Sequence, residues 1–253
     1  MFRFYYTIVM RIPSIIRFVP KMRKYAKHPE RYSDEDCLAL CKVMIAKVAK
    51  TARTTTSYYG RENLPTDGGY VMFANHQGKY DALGVMWEHP HPCRVLMDAN
   101  RAKMPLANEF VALVKGKRIE REDLRQKFRC ITEIGDEIRD GKVYLIFPEG
   151  GYRKDQDNVM NPFHSGCMRS ALRSERPIVP VALIDSYKPF GSKGIAPVHT
   201  QVHFLPPIPY EEYAHCSPAE TAEMVRVRIA EKMEEVLGYS VSPKESKNAH
   251  TAS

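Results

Sequence analysis

From residue 51 to residue 237, short apolar or β-branched runs alternate with longer amphipathic ones, and this alternation restricts the possible folds more than any other feature. TARTTTSYYG (51–60) and YVMFAN (70–75) read as strands, and further strands fall near 93–97, 116–119, 142–147, 178–184 and 199–205. Helical patterning falls near 33–52, 80–88, 104–113, 123–140, 164–174 and 218–237, and GRENLPTDGG reads as a turn-rich loop. Two helix starts are explicit. Ser33 precedes Asp34-Glu35-Asp36, acids suited to the positive end of a helix. Ser217-Pro218-Ala219-Glu220 carries a capping box with proline in the first turn, and Gly238 marks the stop.

Strands and helices in this order imply an α/β fold: a single domain with a largely parallel central sheet flanked by helices. A length of 253 residues suits one such domain with appendages rather than two equal halves. The domain is expected over 33–238, between an N-terminal segment at 1–32 and a polar, disordered tail at 239–253. In sheets of this kind chemistry gathers beyond the carboxyl ends of the strands, so strand-end residues are the ones to search.

The N-terminal segment MFRFYYTIVMRIPSIIRFVPKMRK has a basic stripe. At 100° per residue, Arg3, Thr7, Arg11, Ser14, Arg17 and Lys21 fall within an arc of about 120°, and the rest of the circumference is largely apolar. Pro13 implies a break or two short helices. Arginines interrupt every apolar run, and no stretch of about 18 uncharged apolar residues exists, which argues against a membrane span. Seven basic residues precede the first acid, Glu30, in a chain of net charge +8. An amphipathic helical membrane-binding segment is therefore expected, its cations toward anionic headgroups. The six cysteines contain no C-x-x-C pair and read as reduced thiols of a cytosolic compartment.

His76 and Asp81 follow the strand YVMFAN directly, in NHQGKYD. With the histidine just ahead of a helix and the aspartate in its first turn, the carboxylate can reach one ring nitrogen. The other nitrogen is then free to accept a proton, as a general base must. Three further blocks follow. FPEGGYR, after the strand VYLIF, places Glu149, Gly150 and Arg153 at another strand end. VKGKRIERED carries Gly116 and Arg121 around a short strand, and an arginine there suits bidentate phosphate recognition. Pro180 within PIVPVAL implies an edge or bulged strand. His89 and His91 in HPHP read as a loop, because no third metal ligand stands at a fitting spacing, and no metal is expected.

In that order, NHQGKYD, GKRIERED, FPEGGYR and PIVPVAL resemble the four blocks of the glycerolipid acyltransferase family, which includes glycerol-3-phosphate and 1-acylglycerol-3-phosphate acyltransferases. The likeness extends over residues 55–185, and YYGRENLP is similar to the segment ahead of the family's first block. It implies an O-acyltransferase of glycerophospholipid synthesis, with His76 the catalytic base and Asp81 its orienting partner. Arg121 would contact the acceptor's phosphate. Glu149 and Gly150 would belong to acceptor binding and site architecture, and Pro180 to the acyl-donor region. Gly116 and Arg153 join them as candidate substrate-binding positions. The chain departs from the family in having Gly151-Tyr152-Arg153 where Thr-Arg usually follows Glu-Gly, and in the loosely matched run DANRAKMPLANEF.

The expected reaction moves a fatty acyl group from acyl-CoA or acyl-carrier protein to a lysophospholipid hydroxyl, with no cofactor. The favoured acceptor is 1-acylglycerol-3-phosphate, giving phosphatidate, and the expected site is the cytoplasmic face of a membrane. The alternatives are another lysolipid acceptor or a non-catalytic peripheral membrane lipid-binding protein. A nucleic-acid partner would rest on charge alone, since no RNP-like, zinc-finger or helix-turn-helix signature is present.

Overall fold

The structure, a computed structural model, describes residues 2–104, 106–120, 122–153 and 157–243. Its helices are α1 (Phe2–Met10), α2 (Ile12–Lys27), α3 (Asp34–Thr51), α4 (Asp81–Glu88), α5 (Ala99–Ala102), α6 (Ala107–Leu113), α7 (Leu124–Arg139), α8 (Arg169–Ser174), α9 (Lys188–Gly191), α10 (Tyr210–Tyr213) and α11 (Pro218–Leu237). The strands are β1 (Thr54–Tyr59), β2 (Tyr70–Ala74), β3 (Cys93–Asp98), β4 (Lys117–Ile119), β5 (Val143–Ile146), β6 (Ile178–Ile184) and β7 (Val198–Phe204). They form one sheet in the order β1-β7-β6-β2-β5-β3-β4. All neighbours pair in parallel except β6 and β7. Five strands therefore end on the same edge.

The two-residue period of a strand divides the core into two layers. On β2, Tyr70, Met72 and Ala74 join the layer that includes Leu40, Ile45 and Val85 from α3 and α4. Val71 and Phe73 face the opposite layer, which includes Ile134 and Ile138 of α7 with Val225, Ile229 and Met233 of α11. Every residue of β2 is buried, as expected of a strand covered by helices on both faces.

Both helix starts form as their sequences imply. Ser33 and Asp36 close a capping box on α3; Ser217 and Glu220 do so on α11, which Gly238 ends in the left-handed conformation. Packing continues past the boundary expected at 238. Val241 is fully buried, and its carbonyl accepts from Met160 N at 2.9 Å. The rest of the expected tail, 244–253, lies outside the described residues.

Pro180 does not mark an edge. β6 lies between β7 and β2 in the interior of the sheet. The bulge half of the expectation holds. Val181 pairs with Phe204 and Ile178 with Ile208, so residues 179–180 face 205–207 and the register slips by one residue. The slip falls where Pro180 has no N–H to give, while its carbonyl accepts from Leu205 N at 2.9 Å.

The N-terminal stripe divides. Along α1 it turns inward: Arg3 is 1% exposed, and its guanidinium donates to the carbonyls of Gly194 (2.9 Å), Ala196 (2.5 Å) and Ala52 (3.4 Å). Arg11 donates to Thr51 Oγ1. Arg3 is thus unavailable to a headgroup, contrary to the expectation for this stripe. Outward instead stand Phe2, Tyr5, Val9, Met10, Ile12 and Ile16. On α2, Arg17 and Lys21 remain exposed. The chain breaks at Arg11, ahead of Pro13, which occupies the first turn of α2. No helix among the described residues is long and apolar enough to cross a membrane.

Candidate active site

The site forms where β2, β5 and β6 end. Asn75 extends β2 with its side chain. Its Nδ2 donates to Leu183 O at 2.9 Å, and its Oδ1 accepts from Leu183 N at 2.7 Å, replacing one more rung of the ladder beside β6. His76 follows. Its Nδ1 stands 2.7 Å from Asp81 Oδ2 in the first turn of α4. The carboxylate only accepts, so Nδ1 carries a proton, and in the neutral ring Nε2 keeps its lone pair.

Asp81 is fully buried and saturated with donors. Besides the imidazole, Oδ2 accepts from Gln77 N at 2.6 Å and Gly78 N at 2.8 Å, and Oδ1 accepts from Ser186 Oγ at 2.7 Å. A buried carboxylate needs such partners, because an unpaired charge there would be costly. Ser186 is itself fixed by its N–H, which donates to Gln77 Oε1 at 2.7 Å. Gln77 Nε2 donates to Asn158 Oδ1 and Leu183 O, at 2.8 and 2.9 Å. Among the described residues, no buried side-chain nitrogen or oxygen lacks a partner.

Glu149 ties the end of β5 to the same turn. Its Oε1 accepts from His76 N at 2.7 Å, and its Oε2 accepts from Asn161 N and Nδ2 at 2.9 and 2.8 Å. Burial raises its pKa to about 7 despite these three donors. Gly150 turns the chain immediately afterwards at φ +66°, with His164 against the place a Cβ would occupy.

The imidazole sits between aromatic rings. Phe147 stacks on it at 4.4 Å between centroids, and Tyr152 meets it edge-on at 4.9 Å. The Arg101 guanidinium lies 4.9 Å over the Tyr152 ring. His76 opens onto a cavity of about 1290 Å³ whose wall includes Ile15, Phe18, Val48, Met97 and Phe110, with Lys79, Arg101 and Arg153 among its cations. Burial, and then the neighbouring Arg101, hold the Lys79 ammonium below the ordinary lysine range. A large cavity with an apolar wall, several cations and a carboxylate-backed imidazole can take an amphiphile with an anionic group and deprotonate its hydroxyl.

Of the residues singled out from sequence, the structure brings His76, Asp81, Glu149 and Gly150 together, with Arg153 on the same cavity wall. Arg121 lies outside the described residues. Gly116 and Pro180 do not line the cavity. Gly116 packs against β3, where a Cβ would come within 2.6 Å of Val95 O, and Pro180 is buried in β6. Sequence reading missed Ser186, Asn158 and Asn161, and it gave Gln77, Phe147, Tyr152, Arg101 and Lys79 no role. Ser186 had a legible signal: it stands just beyond the carboxyl end of a strand, where chemistry gathers in such sheets.

Comparison with known proteins gives a consistent result. A sequence model of the Acyltransferase family matches residues 55–184. The 1-acyl-sn-glycerol-3-phosphate acyltransferase alpha of Mus musculus is 29% identical over 178 residues, covering 66% of this chain and 59% of its own. The 1-acyl-sn-glycerol-3-phosphate acyltransferase of Saccharomyces cerevisiae is 28% identical over 189 residues, covering 72% and 60%. The matches thus span about half to three fifths of the curated relatives' length. In fold, the chain is similar to the crystal structure of the 1-acyl-sn-glycerophosphate (LPA) acyltransferase PlsC from Thermotoga maritima, with a TM-score of 0.74 over 94% of this chain and 95% of that one, at 19% identity. The family match covers more than half of the chain and contains the histidine, the aspartate and the glutamate whose geometry is described above: the chain belongs to the acyltransferase family.

Proposed function

We propose that the protein transfers a fatty acyl group from an acyl thioester, acyl-CoA or acyl-carrier protein, to the hydroxyl of a lysophospholipid, with 1-acylglycerol-3-phosphate the favoured acceptor. The observation that carries this reading is the His76 Nδ1–Asp81 contact of 2.7 Å, with the ring opening onto a cavity of about 1290 Å³. In the proposed step, His76 Nε2 takes the acceptor's hydroxyl proton as the oxygen attacks the thioester carbonyl. Asp81 steadies the imidazolium, the tetrahedral adduct breaks its C–S bond, and the departing sulfur takes the proton back. The acyl group passes directly, with no acyl-enzyme. Lys79, Arg101 and Arg153 on the cavity wall suit a phosphate, and the apolar wall suits acyl chains.

The same reading puts the protein on the cytoplasmic face of a membrane as a peripheral or monotopic protein. Phe2, Tyr5, Val9, Met10, Ile12 and Ile16 stand exposed on α1 and α2, and an apolar helical face beside exposed Arg17 and Lys21 suits an anionic bilayer surface. The test is transfer from mixed acyl-CoA and acyl-carrier donors to a panel of lysolipids, with products identified by mass. His76→Ala is expected to lower kcat at least about a thousandfold, at the upper part of the range for general-base loss, with the melting temperature unchanged. Wild-type turnover in a folded His76→Ala protein refutes the mechanism.

A further inference from the structure

α7 presents a surface that a globular core does not explain. Leu124 is 76% exposed, the highest value among large apolar side chains of the described residues, and Phe128 at 67% is otherwise surpassed only by Ile16 at 69%. Four residues apart, Leu124 and Phe128 share one face of the helix. Both also line the cavity onto which His76 opens. The same cavity is lined by Ile8, Ile15 and Phe18 of α1 and α2, the helices that turn Ile12 and Ile16 outward.

The charges around the pair favour an anionic surface. Arg125 and Arg129 are exposed and Lys127 is half-buried, and none of the three forms an ion pair among the described residues. Two acids precede them. Asp123 is engaged in capping the helix, accepting from Gln126 N at 2.9 Å, and Glu122 is exposed. A pair of large apolar side chains ringed by cations matches what an interfacial helix offers a bilayer: side chains to insert among acyl chains and charges for the headgroups.

We infer that the first two turns of α7 form a second bilayer contact, separate from α1 and α2, which holds the cavity mouth against the membrane at two points. The inference rests on the membrane reading proposed above. An acyl acceptor held in a leaflet then reaches the cavity without crossing water with its chains exposed, which fits an amphiphilic acceptor.

Binding of the full chain to vesicles of phosphatidylcholine and phosphatidylglycerol, measured by cosedimentation without substrates, tests this. Both side chains are exposed, so the double variant Leu124→Gln/Phe128→Gln keeps the core intact. Its apparent partition onto vesicles is expected to fall about tenfold, or about 1.4 kcal/mol, the scale of one large apolar side chain leaving lipid. In a second measurement Phe128→Trp is combined with Trp87→Phe. The indole emission is expected to shift to the blue on adding vesicles and to be quenched by brominated acyl chains. Partition equal to wild type, with an unquenched indole, overturns the α7 contact while leaving α1 and α2 as the anchor. If Ile12→Gln/Ile16→Gln also binds as wild type does, the membrane reading itself fails, independently of whether acyl transfer occurs. Saturable binding of an acidic acyl-carrier protein that Leu124→Gln/Phe128→Gln abolishes, with vesicle binding unchanged, overturns the inference in favour of a protein partner.

Discussion

Glu149 offers the sharpest test of the site as built. It is 7% exposed, and burial sets its pKa at about 7, against about 4.3 in an unfolded chain. The folded value is the higher, so the fold binds this proton more tightly than the unfolded chain does. The resulting stabilisation is fully present below about pH 4.3 and is lost as the pH rises through about 7. At about 1.4 kcal/mol per pH unit, the gap between about 4.3 and about 7 amounts to about 4 kcal/mol, of which about 3 kcal/mol is lost above about pH 4.5. Glu149→Gln removes the titration and keeps the shape. Wild type and variant, unfolded in urea at matched pH and followed by far-UV circular dichroism, share every other titrating group, so the difference in their unfolding free energies isolates Glu149. Wild-type stability minus variant stability is expected to fall by about 3 kcal/mol between about pH 4.5 and pH 8. The pH-independent cost of turning an amide N–H toward the Asn161 donors drops out of that trend. A difference flat to within about 0.5 kcal/mol, or one that rises with pH, refutes the claim that burial dominates at Glu149.

Three further outcomes follow from single contacts. Ser186→Ala deletes the Oγ–Asp81 hydrogen bond and is expected to cost about 1.5–3 kcal/mol in chemical denaturation and to lower kcat more than it raises KM, with Ser186→Thr restoring part of both; unchanged stability and kcat contradict it. Gly116→Ala forces a Cβ to within 2.6 Å of the Val95 carbonyl, a backbone atom that cannot move cheaply, and is expected to cost about 1–3 kcal/mol, read as a lower melting temperature. Arg3→Ala leaves the carbonyls of Ala52, Gly194 and Ala196 without its guanidinium, so amide exchange is expected to accelerate along α1 and not in β2, and uniform protection argues against the anchor.

What the sequence determined by itself were features whose causes are local. The capping boxes at Ser33 and Ser217 act within a single turn, and the helices they open begin where those residues require. The apolar strand around residues 70–74 needs cover on both faces whatever lies around it, which already implied a sheet between helices. The His76–Asp81 pair was legible because five residues at a strand-to-helix turn suffice to join them. Where the cause lay at long range, only the tertiary structure decided the outcome. A helical stripe has a direction only relative to what it packs on, so nothing in MFRFYYTIVMR revealed that Arg3 turns inward to carbonyls near residues 52 and 195. Pro180 restricts its own strand, but its place inside the sheet depended on a register slip in a partner some 25 residues away. Ser186 reaches Asp81 across 105 residues of chain, because β6 lies beside β2, and strand order is a property of the folded sheet that no short segment encodes.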